Sequence, residues 1–252
     1  MVAFIRILIC LGICLVQVAR VSQAQSAKVD EATPDEAIAK LYTYNDVPDH
    51  DGIGKFYFGR EISQVMGHLS AGWLERSSRE VEEAPMKLME ALKLKPGMAV
   101  ADIGAGSGYF TRRIARRIAP DGIVYAVDIQ PEMIKILEAN MKKHGLTNYR
   151  SVLNTEQDPK LAAESVDLVI MVDVYHEFAY PHEMMTAIRK ALRPGGRVVF
   201  VEYRGEDVWV PIKPLHKMTQ AQVKKEASAQ GFKWIETLDV LPRQHIIVFE
   251  KE

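Results

Sequence analysis

Cysteine is nearly absent: the 252-residue chain has two, Cys10 and Cys14, and both lie within its first two dozen residues. Everything downstream is therefore without disulfides, thiolate metal centres or a cysteine nucleophile. A basic surplus is lacking too. Thirty-two Lys and Arg stand against 33 Asp and Glu, a net charge of −1, and that balance points to no polynucleotide partner. Long apolar runs are missing except for one, Ile7–Val16, which follows Arg6 and precedes a small, polar stretch with Ser22 and Ala24 two apart. A basic head, a short apolar core and paired small residues are the parts of a secretory signal peptide. The run falls short of the about 20 residues that a membrane-spanning helix needs. Residues 1–24 are thus expected to be a signal peptide that exports the protein and is cleaved after Ala24. A retained membrane anchor is the alternative, because Val18, Ala19 and Val21 lengthen the run.

Residues 25–84 read as a linker, with one short helix near 34–44, followed by a helical extension. Helix is expected over most of 55–94, including Phe56-Tyr57-Phe58, Met66-Gly67-His68 and Trp73-Leu74-Glu75-Arg76. Val81–Leu94 is its last helix, stopped by Lys95-Pro96-Gly97. The pattern then changes. Short apolar runs at Met98–Ile103, Ile123–Val127, Tyr149–Leu153, Val166–Val172 and Arg197–Glu202 alternate with segments of helical period. Phe110, Ile114, Ala115 and Ile118 mark one helix face, and Met133, Ile134, Leu137 and Met141 another. A helix at Thr219–Gln230 and strands near Phe232–Leu238 and His245–Phe249 close the chain. Strands separated by helices of this length pair in parallel, so residues 85–252 are expected to form a doubly wound, Rossmann-like α/β domain.

Asp102-Ile103-Gly104-Ala105-Gly106-Ser107-Gly108 joins the first of these strands to the next helix. Glycines there let the backbone turn tightly and approach a ligand that a Cβ would push away. The spacing is Gly-x-Gly-x-Gly, not the Gly-x-Gly-x-x-Gly of dinucleotide binders, and the Lys-Ser/Thr of a P-loop is missing. Asp102 would repel a pyrophosphate, but would help to place a ligand carrying an ammonium and a sulfonium. Asp128, at the end of the next strand, can accept both hydroxyls of a ribose. Each aspartate also has a purely structural reading, as a cap of the loop or of the helix beginning at Pro131.

Together these motifs resemble the first two motifs of class I S-adenosylmethionine-dependent methyltransferases, in the group that includes ubiquinone/menaquinone C-methyltransferases. Ser165-Val166-Asp167-Leu168-Val169 and Leu192-Arg193-Pro194-Gly195-Gly196 are similar to further landmarks of that family. The resemblance implies a seven-stranded sheet with a reversed last strand and S-adenosylmethionine as cofactor. It implies that Asp102, Gly104, Ala105, Gly106 and Gly108 hold the methionine end, and that Asp128 and Ile129 hold the ribose and flank the adenine. Asn154 and Thr155 would stand near the adenine amine, where the family has an acidic residue, and Asp173 would face the methionine portion.

On the acceptor side, Tyr175, His176 and Glu177 leave the carboxyl end of a strand, where open α/β sheets bind ligands. They are the catalytic candidates, since imidazole titrates near neutral pH. The other reading is that His176 only shapes the pocket. Tyr57, His68, Trp73 and Tyr203 are candidates for contact with a small-molecule acceptor, with Glu202 beside Tyr203 and residues 56–76 acting as a lid. His176, Glu177 and His182 do not share one helical face, because Pro181 intervenes, so no metal is assigned. The rivals to methyl transfer are a nicotinamide-dependent oxidoreductase and a binding protein without turnover.

Overall fold

The computed structural model describes residues 38–252, so the expected signal peptide and most of the linker lie outside the described residues. Residues 38–39 are helical, within the short helix expected near 34–44, but strands then stand where helix was expected over 55–63. Tyr42–Tyr44 (β1), Gly52–Tyr57 (β2) and Arg60–Ser63 (β3) form an antiparallel sheet in that order. Phe58 (φ 50°) and Gly59 (φ 88°) make the two-residue turn between β2 and β3. Positive φ at both central residues gives such a turn the twist that paired strands require. Phe56 and Tyr57 therefore alternate across a sheet instead of following a helical face. Short helices follow at Ala71–Leu74 (α1), Arg79–Glu82 (α2) and Pro85–Ala91 (α3). The helix expected over Val81–Leu94 is interrupted at Ala84, whose φ is 47°, because a residue before proline is pushed out of the helical region.

From Ala99 onward the chain builds one seven-stranded sheet. Its strands are Ala99–Ile103 (β4), Ile123–Asp128 (β5), Tyr149–Leu153 (β6), Val166–Val172 (β7), Leu192–Tyr203 (β8), Phe232–Leu238 (β9) and Gln244–Lys251 (β10). The order is β6-β5-β4-β7-β8-β10-β9, with β4 to β8 mutually parallel and β10 antiparallel to both neighbours. The helices between are Tyr109–Ile118 (α4), Pro131–Lys143 (α5), Pro181–Ala191 (α6) and Gln220–Ala229 (α7). β8 begins five residues before the expected strand, because Leu192 already pairs with Val166 and Arg193–Gly196 bulge out before Arg197 pairs with Leu168.

Side chains of successive strand residues go to opposite faces, and the core divides accordingly. Val100, Val199 and Val201 pack with Phe110, Ile114, Leu137 and Met141 on one face, whereas Ala101, Ile103, Val198 and Phe200 pack with Met185, Ile188 and Val223 on the other. β4 is buried along its whole length, as expected of a strand covered by helices on both sides. The order reverses between β4 and β7, and the loops leaving their carboxyl ends part there. An open α/β sheet places its ligand crevice at such a switch point.

Candidate active site

The loop after β4 lines one lobe of a cleft. Gly104 has φ 72°, and a Cβ there would lie 2.4 Å from Val174 Cγ2, so only glycine fits. The N–H groups of Gly104 and Ala105 donate to Val127 O, which pins the loop to the end of β5. Asp128 holds the next residues. Its Oδ2 accepts the Gly106 N–H at 2.8 Å and its Oδ1 accepts the Gln130 N–H at 2.9 Å. Asp128 thus braces the glycine loop, although it does not cap the helix at Pro131, whose N-cap is Gln130 without a side-chain cap bond, and each oxygen keeps a further lone pair.

Of the residues expected to hold the cofactor, Gly104, Gly106, Asp128, Ile129, Asn154 and Asp173 line this lobe. Four others lie outside its lining. Asp102 is buried and accepts a hydrogen bond from Thr111 Oγ1 at 2.6 Å, and burial pushes its carboxyl up to about 6. It fastens β4 to α4 and does not line the lobe, since a strand residue two positions before the turn is still enclosed by helices. Ala105 is buried in the core. Gly108 starts α4 with φ 78°, and the exposed Thr155 turns its N–H to Asp158 O. Arg79, Gln130, Met133 and Glu156 also line the lobe; no motif in the sequence marks them, because their approach depends on tertiary packing.

A second lobe opens from the first, and Val65, Met66, Trp73, Asp173 and Glu177 line both. It is also bordered by His176, Tyr203, Lys213 and His216. His176 Nδ1 lies 2.6 Å from Glu202 Oε2, and Glu202 Oε1 accepts the Tyr175 N–H at 3.0 Å. His176 Nε2 lies 3.3 Å from His216 Nδ1. Burial pulls the His176 imidazole down, but the charge and hydrogen bond of Glu202 outweigh it and hold the group above its ordinary value. Burial, followed by the neighbouring His176, pushes His216 down to about 4. Burial also pushes Glu177 up to about 7.

The acceptor-side expectations divide. His176, Glu177, Trp73 and Tyr203 border the second lobe. Tyr203 is fixed there by its hydroxyl, which donates to Glu83 at 2.9 Å. Tyr175 is fully buried and meets Phe178 and Phe200 edge-on, so its ring belongs to the core and only its N–H serves the site. Tyr57 is buried against Phe58 and accepts from Gln230. His68 lines neither lobe, and its N–H donates to Gln130 Oε1 at 2.8 Å. His182 contacts Gln230, while His216, the last residue of the 204–216 loop that sequence places beyond a strand end as a second candidate pocket wall, takes the place beside His176. The segment after β3 covers the cleft: the Met66 N–H donates to Glu177, and Met66 O accepts from Gln130.

A family described as "Methyltransferase domain" matches residues 94–243. The chain belongs to this methyltransferase family. Among similar curated proteins, arsenite methyltransferase of Halobacterium salinarum is 34% identical over 105 residues, which are 42% of this chain and 27% of that protein. The ubiquinone/menaquinone biosynthesis C-methyltransferase UbiE of Laribacter hongkongensis is 24% identical over 181 residues, 70% of each chain. Coverage is thus uneven, about a quarter of the first relative and over two thirds of the second. A solved S-adenosylmethionine-dependent methyltransferase from Aquifex aeolicus shares the fold, with TM-score 0.71 and 21% identity over 75% of this chain and all of that one.

S-adenosylmethionine is the cofactor that family and fold imply, and the first lobe of this methyltransferase suits it. Asp173 Oδ1 and Asn154 Oδ1 are buried without a protein hydrogen-bond partner, and both residues line the lobe. Buried polar atoms are costly to leave unpaired. A carboxylate oxygen matches a cationic group, and an amide oxygen matches an amine donor.

Proposed function

We propose that this methyltransferase moves the methyl group of S-adenosylmethionine onto a small molecule held in the second lobe. The observation that carries the reading is the junction: Trp73, Asp173 and Glu177 border both lobes, so two ligands can meet there. When bound, the cofactor supplies an electrophilic methyl on a sulfonium. Asp128 is assigned to the ribose hydroxyls, Asn154 to the adenine amine, and Asp173 with the Gly104–Gly106 backbone to the cationic methionine end. His176 and Glu177 are assigned to the acceptor, with Tyr203 and Trp73 as its walls. In-line placement supplies much of the barrier reduction in such a transfer. Cover by the Met66 segment favours it by excluding water.

Calorimetric titration of the purified protein with S-adenosylhomocysteine and with NAD tests the cofactor assignment. Heat from S-adenosylhomocysteine alone is expected, and heat from NAD alone sinks the reading in favour of the oxidoreductase. Transfer of label from methyl-labelled S-adenosylmethionine to hydroxyl, amine and carbon acceptors separates an enzyme from a binding protein without turnover. We also propose that residues 1–24 direct export, on the strength of the basic head, apolar core and small residues at Ser22 and Ala24. Sequencing the mature N-terminus tests this: a chain beginning at Gln25 is expected, and a membrane-bound chain that retains Met1 favours the anchor.

A further inference from the structure

The second lobe contains a donor set whose chemistry goes beyond contact with an acceptor. His176 Nε2 and His216 Nδ1 are 3.3 Å apart, and Glu177 Oε1 lies 4.0 Å from the first and 3.8 Å from the second. These three atoms all lie within 4.8 Å of one another. Two nitrogens bound tetrahedrally to zinc at its usual bond length stand roughly 3.3 Å apart, the edge of a tetrahedron with arms of about 2.0–2.1 Å. The imidazoles already have that separation. The carboxylate has to close by roughly half an ångström, which a small side-chain rotation supplies.

The surroundings are those of a metal ligand. A metal-bound histidine commonly gives its other ring N–H to a carboxylate, which fixes its tautomer and orientation. Glu202 does this for His176 at 2.6 Å, and is itself fixed by the Tyr175 N–H. His176 and Glu202 are both almost wholly buried. In the neutral imidazole whose Nδ1–H goes to Glu202, Nε2 is the atom left to ligate an ion, and it lies on the side of His216. The three residues come from two segments: the one-turn helix Tyr175–Glu177 after β7, and the one-turn helix Pro214–His216 after β8. All three also border the acceptor lobe, so a fourth position faces the space assigned to the acceptor.

We propose that His176, Glu177 and His216 bind one divalent transition-metal ion of the zinc type, with an open position toward the acceptor lobe. Such an ion would draw an acceptor hydroxyl or enol to itself and lower its pKa, so that the proton passes to solvent and the oxygen anion takes the methyl from the sulfonium, with S-adenosylhomocysteine as the leaving group. That use of the ion rests on the methyl-transfer reading; binding of the ion does not. Three protein ligands and an open fourth position is the arrangement of catalytic zinc, whereas structural sites are closed by four.

The test uses tag-free protein stripped with a chelator, titrated with Zn²⁺ by calorimetry and with Co²⁺ by visible absorption. One ion per chain and the intense absorption of tetrahedral Co²⁺ are expected. H216N and E177Q should each weaken binding at least tenfold, while H182N, whose imidazole contacts Gln230, should bind as the parent does. Circular dichroism establishes that each variant is folded. Zn²⁺ should also raise the melting temperature of the parent and of H182N but not of H216N. No stoichiometric binding, or binding undiminished in both H216N and E177Q, overturns the proposal. A parallel titration with S-adenosylhomocysteine separates the two readings. Metal binding without cofactor binding removes methyl transfer and keeps the site, and the reverse removes the site alone.

Discussion

Arg60, in the N-terminal hairpin, and Glu226, in α7, form a two-pronged ion pair with N···O distances of 2.9 and 3.1 Å. The remaining guanidinium nitrogen donates to His176 O at 3.0 Å. One arginine thus joins the small sheet, the closing helix and the main chain of a site residue. Removing one partner of a buried pair leaves the other charge stranded, at a cost of about 3–5 kcal/mol. Arg60→Ala should lose stability of that order in urea unfolding. The double variant R60M/E226M should recover most of it, because two apolar side chains leave no charge behind. A double variant no more stable than Arg60→Ala would show that packing, not charge, is what Arg60 contributes.

Gly104 and Gly106 both have positive φ, but their surroundings differ. A Cβ at 104 meets the branched Val174 side chain at 2.4 Å, whereas one at 106 meets the terminal Leu74 Cδ1 at 2.6 Å, which can rotate away. Gly104→Ala is expected to cost about 1–3 kcal/mol of stability, the range for strained backbone, and to weaken S-adenosylhomocysteine binding at least tenfold. Gly106→Ala should do less on both counts. Thermal melts and calorimetry compare the two, and an order reversed in both measurements would be inconsistent with this geometry.

Asp128 serves the loop and, on the proposed reading, the ribose. Its substitution should therefore have two separable effects. Asp128→Asn keeps one carbonyl oxygen but loses the charge that strengthens hydrogen bonds, worth about 1.5–3 kcal/mol. S-adenosylhomocysteine affinity should fall by roughly tenfold to a hundredfold, and adenine alone should lose much less. Equal losses for both ligands would place Asp128 away from the ribose.

Asp102 supplies a pH test. Burial pushes its carboxyl up to about 6, and the nearby Asp128 charge adds to this against the Thr111 hydrogen bond. The folded state then binds this proton more tightly than the unfolded chain does. The contribution is fully present below about pH 4 and is lost as pH rises through about 6. Asp102→Asn cannot titrate and still accepts from Thr111. Its stability relative to the parent should increase from about pH 4 to about pH 8, by up to about 3 kcal/mol, the free energy of raising a carboxyl from its ordinary range to about 6. Denaturant unfolding across that range reads the difference directly, and a difference independent of pH excludes an elevated carboxyl.

In the N-terminal extension, turn chemistry overrides local periodicity. Phe56, Tyr57 and the apolar residues after them fit a helical spacing, but Phe58-Gly59 forms a tight turn, and pairing of β2 with β3 then decides the matter. The break at Ala84-Pro85 is likewise a backbone constraint that apolar spacing does not register. Strand β7, by contrast, coincides with the largely apolar run at Val166–Val172, because helices cover a parallel sheet and leave a nearly continuous apolar signal.

The sequence by itself determined the doubly wound domain, the glycine loop at its switch point and the aspartate that follows. Each depends on residues near one another in the chain: apolar period, turn glycines and the end of a strand. Tertiary structure alone decided which candidates face a ligand. It turned Asp102 and Tyr175 into the core, moved His182 against Gln230, and brought His216 to 3.3 Å from His176 across a separation of 40 residues. The physical reason is that a strand end fixes the direction in which a side chain leaves the sheet, but not what comes to meet it. His216 reaches the site because the loop after β8 folds back beside β3 and the turn after β7, a packing that no local spacing records.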